Sequence, residues 1–371
     1  IVALVRAGKR LSGPTDFDWL RHLRCVWRGD KAEVVVGVAD TELPYGYEYI
    51  GSVERLVVTS LTDRIYISCL QAMSMGFGGA PTGPAGTGKT ETTRDLGRAC
   101  GRYFLVINCS EMLSVDAMGR FIRGVAQSGS WCGFDEINRI DIGVLSVVAS
   151  QIASVFSARR DRRSEFVFTD GAMVPLDKDC ALFITMNPNY AGRTELPENM
   201  KALFRSVAVV VPDMLSIVRV RLSAAGFQDA GELARKLHLL YSMSGELLSS
   251  QTQYDFGLRN ILSVLRSCGP ALRNATSSTP DEAKVLVTVM LSMNLSKLLD
   301  KDATLLLDLT RDIFGPVVNV LKAGGASANG GGGMAAIALA ATAPSDDPRS
   351  QSLIQNIRAE AQRMSWLLPP I

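Results

Sequence analysis

Hydrophobic and polar positions follow two different patterns along the chain, and the change between them divides it. Between residues 46 and 211, short apolar runs that are typical of buried strands alternate with stretches of helical periodicity. Strands separated by helices in this way form a parallel sheet with helices on its faces. From residue 212 to residue 322 the periodicity is helical. The pattern therefore predicts an α/β region followed by a small all-helical region.

Four runs in the first region predict strands. They cover residues 103–108, 130–136, 181–185 and 206–211. Gly133 weakens the second of them, because a glycine has no side chain to pack. Between the strands, apolar residues recur at helical spacing: Val115, Met118, Phe121, Ile122, Val125 and, further on, Leu145, Val148, Ile152, Val155. Asp170 and Gly171 separate two extended apolar runs, and this pair predicts a hairpin turn.

The two ends of the chain differ from its middle. Residues 1–45 contain the clusters FDWLRHLRCVW and AEVVVGVA, which predict a short helix followed by a strand, too little to fold alone. Residues 323–371 begin with a stretch rich in Gly, Ala and Ser, which is typical of a flexible insertion or linker. The chain has neither an initiator Met nor a signal-peptide pattern. We therefore expect a piece of a longer polypeptide.

The composition of the chain argues against several classes of function. A formal net charge of +2 gives no basic field that would favour nucleic acid as a partner. No uninterrupted apolar run reaches the ~18 residues of a membrane helix, so we expect no membrane contact. The closest cysteines among the seven, Cys100 and Cys109, are too far apart for a zinc knuckle, which favours a reducing compartment such as the cytoplasm. With only His22 and His238, a histidine-based metal site or catalytic triad is not expected.

The most informative stretch is GPAGTGKT, which fits Gly-x-x-x-x-Gly-Lys-Thr. Its glycines let backbone N–H groups turn toward a chain of phosphates, and Lys89 can reach the outer phosphates. The hydroxyl of Thr90 is a Mg²⁺ ligand in such loops. We expect the nucleotide to contact the loop and the residue after it: Gly83, Pro84, Ala85, Gly86, Thr87, Gly88, Lys89, Thr90 and Glu91. A glycine-rich turn with no ligand is the alternative.

Two adjacent carboxylates follow the second predicted strand in WCGFDEINR. Asp135 at the end of a strand can hold Mg²⁺ through its hydration shell. Glu136 can orient and deprotonate the attacking water, a group that a site which only holds nucleotide does not need. Asp-Glu pairs also occur on solvated surfaces, but here the pair lies between an apolar strand and an amphipathic helix. The sequence therefore predicts hydrolysis.

Three later residues complete the candidate site. Asn187 follows the strand ALFIT, where its amide can contact the outer phosphate and the attacking water. Arg205 precedes the last strand, and Arg259 opens a helix of the helical region. Taken singly, an Asn-Pro pair is more often a turn and an arginine more often a surface charge. Their order along the chain gives them weight.

That order resembles the AAA+ ATPases, and the blocks around it resemble one family within them. YGYEYIG, LVVTSLTDRIY, GGAPTGPAGTGKTETT, FDEINRIDIGVLSVVASQI, FITMNPNYAGRTELPENMKALFR and YDFGLR are similar to the first AAA+ module of a dynein heavy chain. The segment FDWLRHLRCVW resembles the end of the linker before that module. GGAP and TETT, on either side of the loop, resemble axonemal dyneins more than cytoplasmic ones.

The resemblance implies a division of the chain into the end of the linker (1–45), a large nucleotide-binding subdomain (46–211), a small helical subdomain (212–322) and an insertion leading to the next module (323–371). It implies ATP and Mg²⁺ as ligands, with Lys89, Glu136, Asn187 and Arg259 catalytic and Thr90 and Asp135 holding the metal. It places the adenine against Leu56, Val57, Val58 and Thr59, between this segment and the helical lid. For Arg205 it favours a structural or communicating role.

The resemblance also implies partners and a location. They are ATP and ADP, neighbouring AAA+ modules of the same heavy chain, dynein intermediate and light chains, and a microtubule reached through parts of the parent beyond this chain. The expected location is the cytoskeleton of a ciliary or flagellar axoneme. Two alternatives stay open: a regulatory module that holds nucleotide without turnover, and a related AAA+ remodelling ATPase.

Overall fold

The computed structural model describes residues 15–30, 32–188, 195–274 and 281–315. They form two compact units that divide between Pro212 and Asp213. Each unit has hydrophobic clusters of its own, two in the first unit and one in the second. The predicted insertion at residues 323–371 lies outside the described residues.

The first unit begins with a helix and a small antiparallel sheet. Helix α1 (Phe17–Leu20) is followed by β1 (Arg24–Arg28), β2 (Glu33–Val38) and β3 (Thr41–Pro44), in the order β1-β2-β3. The predicted short helix and the strand after it are present as α1 and β2, but strand β1, at the end of FDWLRHLRCVW, was not predicted. Residues of β1 pair with β2 from Arg24↔Gly37 to Arg28↔Glu33, and this ladder satisfies backbone groups that a second helical turn would have satisfied.

The main sheet of the first unit is parallel, as predicted. Its strands are β4 (Gly78–Thr82), β5 (Phe104–Asn108), β6 (Trp131–Asp135), β9 (Ala181–Ile184) and β10 (Phe204–Ala208). Their order across the sheet is β10-β4-β9-β6-β5. A separate two-stranded hairpin is formed by β7 (Glu165–Val167) and β8 (Met173–Pro175), with Asp170 and Gly171 in its turn as expected.

Helices cover both faces of this sheet. They are α2 (Ser60–Ser74), α3 (Lys89–Ala99), α4 (Val115–Ser128), α5 (Ile142–Arg160) and the short α6 (Glu198–Lys201). Leu70 of α2 and Leu96 of α3 belong to one buried cluster, whereas Met118 of α4 and Leu145 of α5 belong to another. The α/β fold with helices on both sides of a parallel sheet is therefore confirmed.

Two strands differ from the sequence expectation in detail. Gly133 lies inside β6, and a Cβ atom there would come within 2.9 Å of the Phe104 ring, so the glycine makes room for an aromatic packing partner. Strand β10 begins and ends earlier than the predicted 206–211, because its ladder with β4 runs from Phe204↔Gly78 to Ala208↔Thr82. The side chains of Val210 and Val211, beyond that ladder, are exposed.

Helix α5 is long and apolar enough to cross a membrane by length and composition, although polar residues interrupt its apolar run. In the structure 44% of its apolar window is buried within the protein. Leu145, Val148 and Ile152 are fully buried in the cluster beneath the sheet. Within the described residues, this helix is a core helix of the α/β unit.

The second unit is all-helical over its described residues, as predicted. Its helices are α7 (Met214–Ala225), α8 (Ala230–Leu247), α9 (Leu258–Arg273), α10 (Glu282–Asn294) and α11 (Asp300–Phe314). A buried hydrogen-bond ring joins three of them. Tyr241 Oη donates to Asn260 Oδ1 (3.0 Å), Asn260 Nδ2 donates to Asn294 Oδ1 (2.8 Å), and Asn294 Nδ2 donates to Tyr241 Oη (3.1 Å). The ring satisfies polar groups inside an otherwise apolar core.

Candidate functional site

The loop GPAGTGKT connects β4 to α3, at the carboxyl end of the sheet. Gly88 is the N-cap of α3 with φ 81°, a left-handed conformation that glycine adopts without steric cost. Thr87 Oγ1 donates to the carbonyl oxygen of Pro84 (3.0 Å) and closes the loop. The N-terminus of α3 carries unpaired N–H groups and the positive end of the helix dipole, which together attract anions. The loop is therefore built as an anion site.

The ammonium of Lys89 is buried and lies at the centre of this loop. Its Nζ donates to the carbonyl oxygens of Gly83 (2.8 Å) and Pro84 (2.5 Å) and to Asn187 Oδ1 (2.6 Å). The loop and the end of β9 are thus joined through one positive charge, although Lys89 and Asn187 are 98 positions apart.

Oxygen ligands suited to a hard cation meet beside the loop. Asp135 Oδ1 accepts hydrogen bonds from Thr90 Oγ1 (2.5 Å) and from Thr185 Oγ1 (2.5 Å). Hydroxyl and carboxylate oxygens are the donors that Mg²⁺ prefers, and it is held by one or two protein groups together with substrate phosphates. Among the described residues, no cluster of three or more His, Cys, Asp or Glu side chains has metal-site geometry. The donor set fits Mg²⁺ shared with a phosphate chain.

Glu136 turns away from the strand that carries Asp135. Its φ of 54° is unusual for a residue with a side chain, and such strain is found most often at functional sites. The backbone N–H of Glu136 donates to Thr185 Oγ1 (3.0 Å) and holds this turn. The carboxylate accepts from Asn187 Nδ2 at Oε1 (2.9 Å) and pairs with Arg139 Nε at Oε2 (2.5 Å). The carboxylate is thereby fixed from both sides.

The amide of Asn187 has one orientation that satisfies both of its partners. Lys89 can only donate hydrogen bonds and the ionised Glu136 carboxylate can only accept them, so Oδ1 faces Lys89 and Nδ2 faces Glu136. The backbone carbonyl of Asn187 also accepts from Asn138 Nδ2 (3.1 Å). The side chain is buried, and it connects the cation of the loop to the carboxylate that was predicted as the base.

The set of Lys89, Thr90, Asp135, Glu136 and Asn187 is called the phosphate end below. The structure brings all five predicted residues together. Sequence reasoning missed the three residues that hold them in place: Thr185, Asn138 and Arg139. The available signals were weak, namely a hydroxyl residue at the end of a strand and the two polar residues in DEINR.

The pKa of the Cys109 thiol, which lies beside Asp135, is set mainly by burial. Cys109 follows β5, and its backbone N–H donates to the carbonyl oxygen of Asp135 (2.9 Å). Burial first, and then the charges of Asp135 and Glu136, raise the pKa of the Cys109 thiol to about 12. The thiol is therefore neutral at physiological pH and adds no charge beside the carboxylates.

The predicted adenine contacts, residues 56–59, are called the base segment below. Thr59 caps α2 with a capping box, in which Thr59 N donates to Thr62 Oγ1 (2.8 Å) and Thr62 N donates to Thr59 Oγ1 (3.4 Å). Val58 is exposed and available for an apolar contact. At the other side of the segment, Leu56 N lies 3.5 Å from Asp95 Oδ1.

The remaining predicted residues are Glu91, Arg205 and Arg259. The Glu91 carboxylate pairs with Arg94 one turn further along the surface of α3 (2.9 Å). Arg205 is exposed on β10, where its backbone is in register with Gly79. Arg259 lies in the first turn of α9, in the second unit, and its carbonyl oxygen accepts from Ser263 Oγ (3.0 Å). Their predicted roles stay predictions.

Comparison with known proteins gives one family. Residues 45–327 match the family described as the hydrolytic ATP binding site of the dynein motor region. The chain is 50% identical over 314 residues to dynein axonemal heavy chain 5 of Rattus norvegicus, which covers 85% of this chain and 9% of that protein. It is 49% identical over 304 residues to dynein axonemal heavy chain 8 of Homo sapiens, and 48% identical over 308 residues to the dynein gamma chain, flagellar outer arm, of Chlamydomonas reinhardtii. Each of the latter two matches covers 82% of this chain and 7% of the relative, so the chain spans less than a tenth of these relatives.

Proposed function

Because the chain belongs to the family of the hydrolytic ATP-binding site of the dynein motor region, we propose that it is the principal ATP-hydrolysing AAA+ module of a dynein heavy chain. Its reaction is the hydrolysis of ATP to ADP and phosphate. In the parent protein this reaction would power movement along microtubules. The names of the relatives, axonemal and flagellar, support a ciliary or flagellar axoneme as the location.

One observation carries the proposal of hydrolysis over simple nucleotide binding. The predicted base, Glu136, is hydrogen-bonded to Asn187, which is in turn hydrogen-bonded to the buried Lys89 of the phosphate loop. A site that only holds nucleotide needs the lysine but has no use for a fixed carboxylate two hydrogen bonds away from it. The regulatory, nucleotide-holding alternative is therefore the less favoured one.

Each side chain has a defined part in the proposed reaction. Lys89 neutralises charge on the outer phosphates, as the lysine of phosphate loops does. Glu136 accepts a proton from the attacking water as its oxygen bonds to the γ-phosphorus and the bond to the β-phosphate oxygen breaks. Asn187 orients that water through the amide that already contacts Glu136. Catalysis of phosphoryl transfer consists mostly of such positioning and charge stabilisation.

The proposed reaction also requires a Mg²⁺ ion. Thr90 and Asp135 would hold Mg²⁺, directly or through its hydration shell, because their oxygens already meet beside the loop. When bound, Mg²⁺ neutralises negative charge on the phosphate oxygens. Thr185 accepts a hydrogen bond from the backbone N–H of Glu136 and donates one to the Asp135 carboxylate. It thereby fixes the positions of these two residues relative to each other.

Further partners follow from the family alone. We propose that neighbouring AAA+ modules of the same heavy chain flank this one and that an arginine from the next module completes its site. Arg259 would contribute from the helical unit. Dynein intermediate and light chains, and a microtubule bound through other parts of the parent, are the remaining partners.

The test is phosphate release by the full 371-residue chain, with Mg²⁺ and with EDTA. We expect slow, Mg²⁺-dependent release, because an arginine supplied in trans is worth about 10³-fold or more in related NTPases. A version that also contains the following module should release phosphate faster. Release that is unaffected by EDTA would contradict the metal assignment, and equal rates with and without the next module would contradict the arginine in trans.

A further inference from the structure

Asp95 is a buried carboxylate that the proposed chemistry does not use. It lies on α3, the helix that begins with Lys89 and Thr90, and only 1% of its surface is exposed. A charge removed from water in this way is costly unless it is paired or hydrogen-bonded. Its partners therefore indicate what keeps a carboxylate at this place.

Three groups from outside α3 contact the Asp95 carboxylate. Tyr66 Oη donates to Oδ2 at 2.8 Å, in a buried hydrogen bond. Leu56 N and Arg55 Nε both lie 3.5 Å from Oδ1. Burial first, and then the Asp95 charge, raise the pKa of Tyr66, so its hydroxyl stays protonated and donates.

These contacts connect Asp95 to both flanks of the base segment. Arg55 and Leu56 stand at its start, whereas Thr59 at its end caps α2, the helix that carries Tyr66. Asp95 is itself a residue of α3, the helix that follows the phosphate loop. One carboxylate thus joins the segment predicted to contact the base to the helix that binds the phosphates.

A second buried carboxylate on α2 shows that burial alone does not produce this connection. Asp63 pairs with His22 Nδ1 at 3.1 Å, in the N-terminal part of the first unit. The pKa of Asp63 is raised, mainly by burial and against the lowering effects of His22 and Arg21. Among the described residues, the Asp63 side chain makes no hydrogen bond or ion pair with residues 55–59 or with α3, so Asp63 serves as a matched control for the loss of a buried carboxylate.

We propose that Asp95 is a positioning residue for the nucleotide, which sets the distance between the base segment and the phosphate loop. The inference rests on the proposed function and on the prediction that residues 56–59 contact the base. Asp95 would control affinity and the preference for adenine, while the phosphate end sets the rate of the chemical step.

The experiment compares Asp95→Ala, Asp95→Asn and Tyr66→Phe in the full 371-residue chain. Calorimetry gives the Kd for MgATP and for MgGTP, and single-turnover phosphate release at saturating ATP gives the rate. For Asp95→Ala we expect the Kd for MgATP to rise about 10-fold, since hydrogen bonds to a buried charge are lost. The ratio of the two Kd values should move toward one. The rate should stay within about threefold of the wild-type rate, because the lost contacts stabilise bound ATP and the transition state equally.

The conservative variants separate positioning from folding. Asp95→Asn keeps the size and one acceptor oxygen, so it should recover part of the affinity, and Tyr66→Phe should show a smaller change in the same direction. Asp63→Asn should change the melting temperature but leave the ATP to GTP ratio at its wild-type value.

The inference is overturned if the Asp95 variants melt earlier yet keep both the Kd for MgATP and the ATP to GTP ratio. If Asp95→Ala does not fold, unchanged ratios in Asp95→Asn and Tyr66→Phe have the same meaning. Failure of the proposed function is a different result, because the wild-type chain itself would then release no phosphate.

Discussion

At the phosphate end, hydrogen bonds of 2.5–2.9 Å join Lys89 to Asn187 and Asn187 to Glu136, and another joins Thr90 to Asp135. Thr185 connects the two groups. The base segment has a different construction: a capping box at one side and the long contacts of Asp95 at the other. At the phosphate end, a substitution at one residue removes a hydrogen-bond partner from another residue of the site. In the base segment, a change alters the placement of a short stretch of backbone. We therefore expect changes at Glu136 and Asn187 to affect mainly the rate, a change at Lys89 to affect phosphate binding, and changes near the base segment to affect affinity for the base.

The largest expected effect tests the chemical role of the phosphate end. Glu136→Gln keeps the size of the side chain and a hydrogen-bonding amide but removes the base. Turnover should fall by about 10²- to 10⁴-fold, the usual contribution of a positioned general base. ATP binding should survive, because Lys89, Thr90 and Asp135 are unchanged. Nucleotide occupancy and phosphate release are measured on the same samples.

Glu111→Gln is the matched control for this variant, since Glu111 is an exposed carboxylate in the loop after β5. It should release phosphate at the wild-type rate. If Glu136→Gln also did so, Glu136 would be no catalytic base and the nucleotide-holding alternative would be favoured.

A second variant removes the charge at the centre of the phosphate end. Lys89→Ala should weaken MgATP binding by about 10²-fold or more, because the positive charge that would neutralise the outer phosphates is lost. Isothermal titration calorimetry measures the affinity directly. Unchanged affinity would show that the loop does not bind the phosphates.

The third variant examines the link between cation and base. Asn187→Ala leaves both Lys89 and Glu136 in place but removes the amide between them. Turnover should fall by about 10-fold, less than for Glu136→Gln, because the amide orients the water without taking its proton. Single-turnover phosphate release gives the comparison, and a loss as large as that of Glu136→Gln would assign Asn187 a greater part than orientation.

The smallest expected effect is a difference in labelling rate between two buried thiols of the wild-type chain, one in each region. Burial raises the pKa of both Cys100 and Cys109 to about 12, so both thiols are neutral and unreactive toward iodoacetamide while they stay buried. Labelling at pH 8 then reports how often each thiol is exposed by local opening. Cys100 lies in the buried cluster that contains Tyr66 of α2, the helix that Thr59 of the base segment caps. Cys109 lies in the core beneath the phosphate end.

We expect Cys100 to be labelled severalfold faster than Cys109, as measured by mass spectrometry of the digested chain. The exposed Cys25 provides the reference for a thiol that needs no opening. Faster labelling of Cys109 would reverse the comparison between the two regions.

Much of the fold was predictable because its signals are local. Strands β5, β6 and β9 are short apolar runs, and helices α4 and α5 have regular apolar spacing. Strand β4 escaped prediction, although it lies inside the sheet, because its sequence is GGAPT. A Cβ on Gly78 would lie 2.3 Å from the Phe204 ring, and one on Gly79 would lie 2.8 Å from Cys69 Sγ. These glycines are required by neighbours in other elements, Phe204 of β10 and Cys69 of α2.

The same limit explains which site residues were missed. The motif residues Lys89, Asp135 and Glu136 are recognisable from their spacing alone. Thr185 is not, since its hydroxyl matters only because β6 and β9 are adjacent, with Gly133 opposite Phe183. Strand β1 was missed for a related reason, as only its pairing with β2 distinguishes it from a continued helix.

The strand order has a consequence for how the protein reaches its native state. Strand β4 lies between β9 and β10, whose residues come about a hundred positions later in the chain. The loop that follows β4 therefore reaches its final place only after the chain through Ala208 has been synthesised and has paired. Contacts between such distant residues form slowly, because closing a long loop costs entropy before the contact repays it. Binding of ATP would thus require the whole sheet, and it would report that the sheet has been assembled.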